Sequence, residues 1–189
     1  MVRPMADDNL PTKKANPAPL GLLGFGMTTV LLSLHNATVL PLDGVTLAMG
    51  IFVGGLAQVL AGIMEYKNGN TFGTVAFTLY GMFWLTFVLT HIGLEGMSGG
   101  SETLGTWLLL WGILTLFLFM GTLKGRKSLM IVFATLTITF FLLSAGNYGA
   151  IDVLLIAGGV VGVVCGLAAM YTAFAEILAE QHGKELIPF

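Results

Sequence analysis

The sequence predicts an all-α integral membrane protein, because it is very apolar and contains six long segments free of charge. Its 189 residues are 56% hydrophobic and only 10% charged, whereas soluble domains are typically about 25% charged. A chain of this composition has too few polar side chains to cover a water-facing surface, so lipid must contact much of it. Its 26 glycines fit the same class, since small residues let membrane helices approach closely.

Six apolar segments without Asp, Glu, Lys or Arg follow one another along the chain. They cover residues 20–40, 44–64, 72–92, 104–123, 129–145 and 153–174. Each is long enough to cross a hydrocarbon layer of roughly 30 Å as a helix. Membrane strands would need only about ten residues and would alternate in polarity, which these segments do not. We therefore predict a six-helix transmembrane domain at residues 16–178, with tails at 1–15 and 179–189.

The charged residues are divided between the connections in a way that predicts the topology. All eight lysines and arginines fall in the two tails or in the second and fourth connections. The only charged residues in the other three connections are acidic, namely Asp43, Glu95, Glu102 and Asp152. By the positive-inside rule, both termini are expected in the cytoplasm and the chain in the cytoplasmic (inner) membrane.

The first helix begins in a proline-marked stretch with unusual chemistry at its start. Asn16 is a suitable N-cap, and Pro17 suits the first helical position, where a missing N–H costs nothing. The free backbone amides of Ala18 and Leu20 would add partial positive charge and favour an anion there. The alternative is simply a well-capped membrane helix.

Glycines recur every fourth residue in the second and sixth segments, which predicts close packing of helices. Gln58 lies on the same face as Gly54 and Gly62 in the second segment. A carboxamide within the membrane needs a partner. Gln58 therefore either lines a pathway or makes a hydrogen bond to a neighbouring helix.

The polar side chains inside the segments are uncharged, so the sequence predicts a channel-like path without a titratable relay. Thr28, Asn36 and Thr139 are candidate substrate ligands, together with Asn16 and Gln58, because hydroxyls and amides bind small anions or neutral acids weakly enough to release them. The alternative for each threonine is a hydrogen bond to its own helix, four residues back. Glu176 and Glu180 are interpreted as interfacial charges that meet Lys184.

Several ordered blocks of the sequence resemble one known family. The N-terminal block is NPAPLGLLGFG at residues 16–26, and it continues as MTT at 27–29 and LHN at 34–36. Further blocks are LAMGIF at 47–52, EYKNGNTFG at 65–73 and GTLKG at 121–125. With these blocks, the chain resembles the acetate uptake transporter family, the succinate–acetate permeases, over nearly all of residues 15–188.

This resemblance implies a function and a set of pore residues. It implies transport of acetate, with succinate and related small carboxylates as further substrates. Coupling to protons stays open and requires that the species carried be the protonated acid. It also implies a hexameric ring with one pore per protomer, and a constriction formed by Phe25, Tyr80 and Leu136. The residues themselves leave two alternatives open, a channel for a neutral solute such as urea and a non-conducting scaffold. They predict no enzyme, no metal or cofactor site and no nucleic-acid partner.

Overall fold

The structure is a computed structural model that describes residues 14–93 and 99–188. Within these residues it contains helices and no strand. The helices are α1 Ala18–Asn36, α2 Gly44–Lys67, α3 Thr71–Leu89, α4 Ser101–Thr122, α5 Lys127–Gly149 and α6 Asp152–His182. All six are long and apolar enough to cross a membrane by length and composition. The six predicted spans are confirmed, but several of their ends differ.

Turns, rather than the edges of the apolar segments, set the ends of the helices. Helix α1 stops at Asn36, four residues early, where Thr38 turns the chain with a φ of 61°. Helix α5 was expected to be the shortest, yet it runs 23 residues and stops at the left-handed Ala150. Helix α6 continues to His182 and ends at Gly183, which has a φ of 65°. Hydropathy marks the lipid-facing part of a helix, whereas the helix itself continues until backbone geometry ends it.

The start of α1 differs by one residue from the prediction. Pro17 occupies the N-cap position, and the side-chain oxygen of Asn16 accepts a hydrogen bond of 3.1 Å from the amide of Ala18. That amide was expected to be free for an anion, and this expectation is wrong. The Asn16 amide group instead donates to Glu176 of α6 at 2.8 Å.

Helix α1 lies against α6 along its length and also contacts α2 and α3. Glycines make this possible, because a methyl group at Gly24 would lie 2.6 Å from the carbonyl oxygen of Val53 in α2. A methyl group at Gly26 would lie 2.7 Å from the carbonyl oxygen of Gly166 in α6, and the reverse holds for Gly166. The close packing predicted for the glycine faces of the second and sixth segments is therefore confirmed, at Gly166 in α6 and at Gly62 in α2, where an added methyl group would collide with Thr78 of α3.

Helix α2 is not a regular α-helix throughout. Its middle, Gly50–Ala57, forms a π-helix between α-helical segments. A widened turn of this kind shifts the backbone hydrogen bonds, and such turns are frequent at functional sites. Here the backbone amide of Gln58 donates to the carbonyl of Gly55, and the side-chain amide of Gln58 donates to the carbonyl of Gly54.

The two ends of the bundle can be distinguished by their residues. We call the end that carries Lys14 and Pro188 the terminal end, and the opposite end the distal end. At the terminal end, the amine of Lys14 donates to the carbonyl of Lys67 at 3.1 Å. The hydroxyl of Tyr171 donates to the carbonyl of Pro188 at 2.6 Å. These contacts bind both ends of the described chain to the bundle, one to α2 and the other to α6.

The close approach of α1 and α6 predicts an asymmetric effect of two matched substitutions. Gly166→Ala would press a methyl group against the backbone of Gly26, and overpacking of this kind typically costs about 1–3 kcal/mol. Gly44→Ala is the control, since nothing lies within 4 Å of its added methyl group. In thermal unfolding of the detergent-solubilised protein, G166A should lower Tm by several degrees and G44A should not. Equal Tm values for the two variants would contradict the packing.

Candidate functional site

Three cavities follow one another from the terminal end to the distal end, between α1, α3 and α5. The terminal chamber, of about 90 Å³, has Gln58, Glu65, Asn70 and Glu176 among its lining residues. The middle chamber, of about 40 Å³, is lined by residues of α1, α3 and α5 alone. The distal vestibule, of about 450 Å³, includes His35, His91, Asn147 and Asp152.

Each of these three helices contributes one stripe of residues that runs through all the cavities. On α1 the lining residues include Ala18, Leu22, Phe25, Thr29, Leu32 and Asn36, with Ser33 and His35 beside them. The first six recur at intervals of three or four, so they lie on one face of the helix. Helix α5 shows the same spacing with Leu129, Val132, Leu136, Thr139, Leu143 and Asn147. The candidate site is thus the shared space of three helix faces.

Phe25, Tyr80 and Leu136 form the wall between the terminal and middle chambers. They are the three residues that line both cavities. Each side chain is at most 6% exposed, and the ring centroids of Phe25 and Tyr80 are 5.8 Å apart. The structure therefore brings together the three residues that the family resemblance associates with a constriction, at a place where two cavities meet.

The phenol of Tyr80 is already hydrogen-bonded in this wall. Its oxygen lies 2.8 Å from the hydroxyl oxygen of Thr115 in α4. The Thr115 hydroxyl donates to the carbonyl of Trp111 at 2.6 Å. Since a threonine has only one hydroxyl hydrogen, Tyr80 is the donor to Thr115. Tyr80 thus presents an apolar ring to the chambers, with its hydrogen committed to α4.

The middle chamber carries polar groups that have no partner in the described structure. They are the hydroxyls of Thr29 and Thr139 and the indole nitrogen of Trp84, and all three residues line this cavity. They are 6%, 5% and 2% exposed, respectively. Leaving such groups unpaired is costly, so the chamber is suited to a small ligand that accepts hydrogen bonds. Thr139 was predicted as a ligand residue, whereas Trp84 was missed.

Asn36 lies where the middle chamber meets the distal vestibule, since it lines both cavities. In the vestibule, the Nδ1 atom of His35 is 3.2 Å from the carbonyl oxygen of Leu40. The Nδ1 atom of His91 is 2.7 Å from the carbonyl oxygen of Phe87. Because a carbonyl can only accept, Nδ1 carries the hydrogen in both rings, and Nε2 is the nitrogen left for other contacts.

Gln58 is fully buried and borders the terminal chamber. Its amide nitrogen donates to the carbonyl of Gly54 at 2.7 Å, so its hydrogen bond is made within its own helix rather than to a neighbour. The same bond fixes the orientation of the side-chain amide, because only its nitrogen carries hydrogens that it can donate to a carbonyl. The side-chain oxygen of Gln58 is buried without a partner, and it remains available to a donor in the chamber.

Two carboxyl groups line the terminal chamber, so the expectation of a path free of acidic residues is wrong there. Glu65, just after the second apolar segment, still lies on α2, which continues to Lys67, and it is only 3% exposed. One Glu65 oxygen accepts from Asn70 at 2.9 Å, and the other has no partner. Glu176 pairs with Arg126 and accepts from Asn16, rather than making the contact with Lys184 predicted for it.

Thr28 was predicted as a substrate ligand, but it makes the alternative contact, a hydrogen bond to its own helix four residues back. Its hydroxyl donates to the carbonyl of Gly24 at 2.5 Å, with a second contact of 3.2 Å to the carbonyl of Phe25. It is 1% exposed and lines none of the three cavities. Asn16 does not line them either, but it acts on the terminal chamber through Glu176.

Comparison with known proteins identifies the family. The model of the GPR1/FUN34/yaaH family matches residues 2–184. The chain belongs to this family. Among curated proteins, the succinate-acetate/proton symporter SatP of Escherichia coli is 52% identical over 181 residues, covering 94% of this chain and 96% of that protein. The ammonia transport outward protein 2 of Saccharomyces cerevisiae is 38% identical, covering 94% of this chain and 67% of that protein.

A solved structure supports the same assignment. The structure of the bacterial acetate channel SatP superimposes with a TM-score of 0.90 at 51% identity, covering 94% of this chain and 99% of that one. The resemblance read from the sequence blocks is therefore confirmed. The family and these relatives are transporters and channels, not enzymes.

Proposed function

We propose that this protein carries acetate and related small carboxylates across the cytoplasmic membrane, through the three cavities of each protomer. One observation carries the proposal. Phe25, Tyr80 and Leu136, which the resemblance implies as the constriction, are the residues shared by two consecutive cavities. The names of the bacterial relatives, a succinate-acetate/proton symporter and an acetate channel, point to the same substrate class.

The middle chamber has the chemistry that a small carboxylate requires. The hydroxyls of Thr29 and Thr139 and the indole N–H of Trp84 provide three neutral donors without a partner. Neutral donors stabilise an anion but do not trap it as a lysine or arginine would. Leu32 and Phe140, which also line the chamber, offer apolar surface for a methyl group. This combination favours a short monocarboxylate that can enter and leave.

The wall beyond this chamber selects by size rather than by charge. Phe25 and Leu136 have no polar atom, and the hydroxyl of Tyr80 is turned towards Thr115. A carboxylate crossing this wall therefore gains no hydrogen bond from these three side chains, and passage depends on the space between them. An apolar constriction between polar chambers favours small solutes and excludes larger ones.

A neutral solute is the second candidate. The donors of the middle chamber carry no charge, so urea or ammonia would also be accommodated, and the yeast relative is named for ammonia transport. Three consecutive cavities between α1, α3 and α5 speak against the third alternative, a non-conducting scaffold.

Exchange of labelled acetate in liposomes tests the proposal, and one matched pair of variants tests the chamber. Wild-type protein should exchange acetate faster than protein-free liposomes, whose own leakage is subtracted. Thr139→Val removes an unpaired donor of the middle chamber, and should raise the half-saturating acetate concentration about ten-fold, as expected for a lost hydrogen bond to a charged group.

Thr135→Val is the control on the same helix, because Thr135 lines none of the three cavities. Its hydroxyl already donates to the carbonyl of Ile131 at 2.7 Å. It should exchange acetate nearly as wild type does. Equal losses in T139V and T135V would contradict the chamber. Exchange of urea or ammonia, but not acetate, by the wild type would replace the proposal with the neutral-solute channel.

The wall predicts a change in size selectivity when it is opened. Leu136→Ala should let larger acids such as lactate exchange several-fold faster relative to acetate, because a side chain shared by two chambers is shortened. Ile138→Ala, on the same helix but 49% exposed, should leave the lactate-to-acetate ratio unchanged. If L136A only lowers Tm, as a core truncation would, Leu136 is a packing residue.

The charge distribution leads us to propose that the terminal end faces the cytoplasm. A cysteine replacing Ser101, an exposed residue at the distal end, should react with an impermeant maleimide added to intact cells. A cysteine replacing Lys124, exposed at the terminal end, should react only after lysis. Both belong in a Cys165→Ser background. Labelling of the Lys124 position from outside would reverse the orientation.

The hexameric ring and the use of succinate stay predictions from the resemblance. The three cavities are built from the helices of a single chain, which is what one pore per protomer requires.

A further inference from the structure

The terminal chamber differs from the middle chamber in one chemical respect, which is an excess of acceptors. Glu65 and Gln58 each bury one side-chain oxygen without a partner, and both residues line this cavity. One hydrogen of the Gln58 amide is donated to the carbonyl of Gly54, and an amide group cannot donate to its own oxygen. A ligand without a hydrogen to donate would leave both oxygens unpaired, and a carboxylate would also be repelled by Glu176.

The charged groups around Glu65 do not neutralise it. Glu176 of α6 exerts like-charge repulsion on Glu65, and Glu176 itself pairs with Arg126. The nearest polar partner of Glu65 is the neutral amide of Asn70. The remaining titratable group that lines this chamber is Tyr80, and its hydrogen is committed to Thr115. No described side chain therefore supplies the missing hydrogen.

We propose that Glu65 binds the proton that moves together with the carboxylate. In its acid form, the free oxygen of Glu65 carries a hydrogen and donates it to a carboxylate in the terminal chamber. When the ligand leaves as the carboxylic acid, the O–H bond of Glu65 breaks and an O–H bond of the ligand forms. Glu65 remains as a carboxylate until it takes up a proton from water. Asn70 holds the other Glu65 oxygen and so fixes the direction of the donated hydrogen.

This inference rests on the proposed transport of carboxylates, and two transport assays separate the two. The first is exchange of labelled acetate at equal pH, which needs a pathway but no net proton movement. The second starts from equal acetate on both sides, with the membrane potential clamped at zero and one side acidified. Only coupling to protons can then drive net accumulation, once the leakage of protein-free liposomes is subtracted.

Glu65→Gln keeps an oxygen for Asn70 but cannot release a proton. It should reduce the initial rate of net accumulation at least ten-fold more than it reduces the exchange of acetate. Glu180→Gln is the matched control, because Glu180 is an exposed acid at the same end that does not line the chamber. It should behave as wild type in both assays.

The outcomes are distinguishable. Absence of acetate exchange in the wild type overturns the proposed function itself. If E65Q accumulates acetate as fast as wild type does, the role of Glu65 alone is overturned. The same holds if E65Q has the wild-type Tm but loses exchange, because Glu65 would then be a part of the pathway without a proton role. If E65Q does not fold, Glu65→Asp replaces it. This variant keeps a titratable group, and its net accumulation should show a shifted pH dependence; an unshifted one overturns the inference.

Discussion

The close approach of α1 to its neighbours is the constraint on which the rest of the structure depends. Gly26 and Gly166 place the backbones of α1 and α6 in direct contact, and Gly24 does the same towards α2. With two faces occupied in this way, the face that carries Phe25 and Thr29 is the one left to border the cavities. In lipid, helices gain little from burying apolar surface, so close packing of small residues has to hold them together. The same glycines that stabilise the bundle therefore orient the candidate pathway.

The sequence was sufficient for the number of helices, whereas the constriction stays a prediction from the family resemblance. Hydropathy alone gives six spans, because lipid imposes a minimum apolar length. Phe25, Tyr80 and Leu136 came from the family resemblance, since nothing in their local pattern distinguishes them from packing residues. Threonines show the limit most clearly, because Thr28 bonds its own helix while Thr139 has a free hydroxyl. Only the three- and four-residue spacing of the lining stripes, read across α1, α3 and α5 together, could have separated them.

Glu65 was not predicted as a site residue, because a hydropathy-based membrane segment ends at the first charged residue. Hydropathy stops at the charge, whereas α2 continues to Lys67. The burial of Glu65 then depends on tertiary contacts, namely the turn at Asn70 and the approach of α6 with Glu176. A signal was present in the sequence, since Glu65 and Asn70 belong to the block at residues 65–73 that carries the family resemblance. Burial of a carboxyl group is costly, so a buried carboxyl group beside a cavity indicates a functional role.

The bacterial relatives are named a proton symporter and a channel, and this architecture can combine the two properties. The middle chamber offers donors and suits an anion, whereas the terminal chamber offers acceptors and suits an acid that still carries its hydrogen. The two are separated only by the apolar wall of Phe25, Tyr80 and Leu136. A carboxylate that crosses this wall goes from donors to acceptors, and a single proton on Glu65 compensates for that change. A series of titratable groups along the path is then not needed, so a narrow, channel-like pathway is compatible with the movement of one proton for each carboxylate.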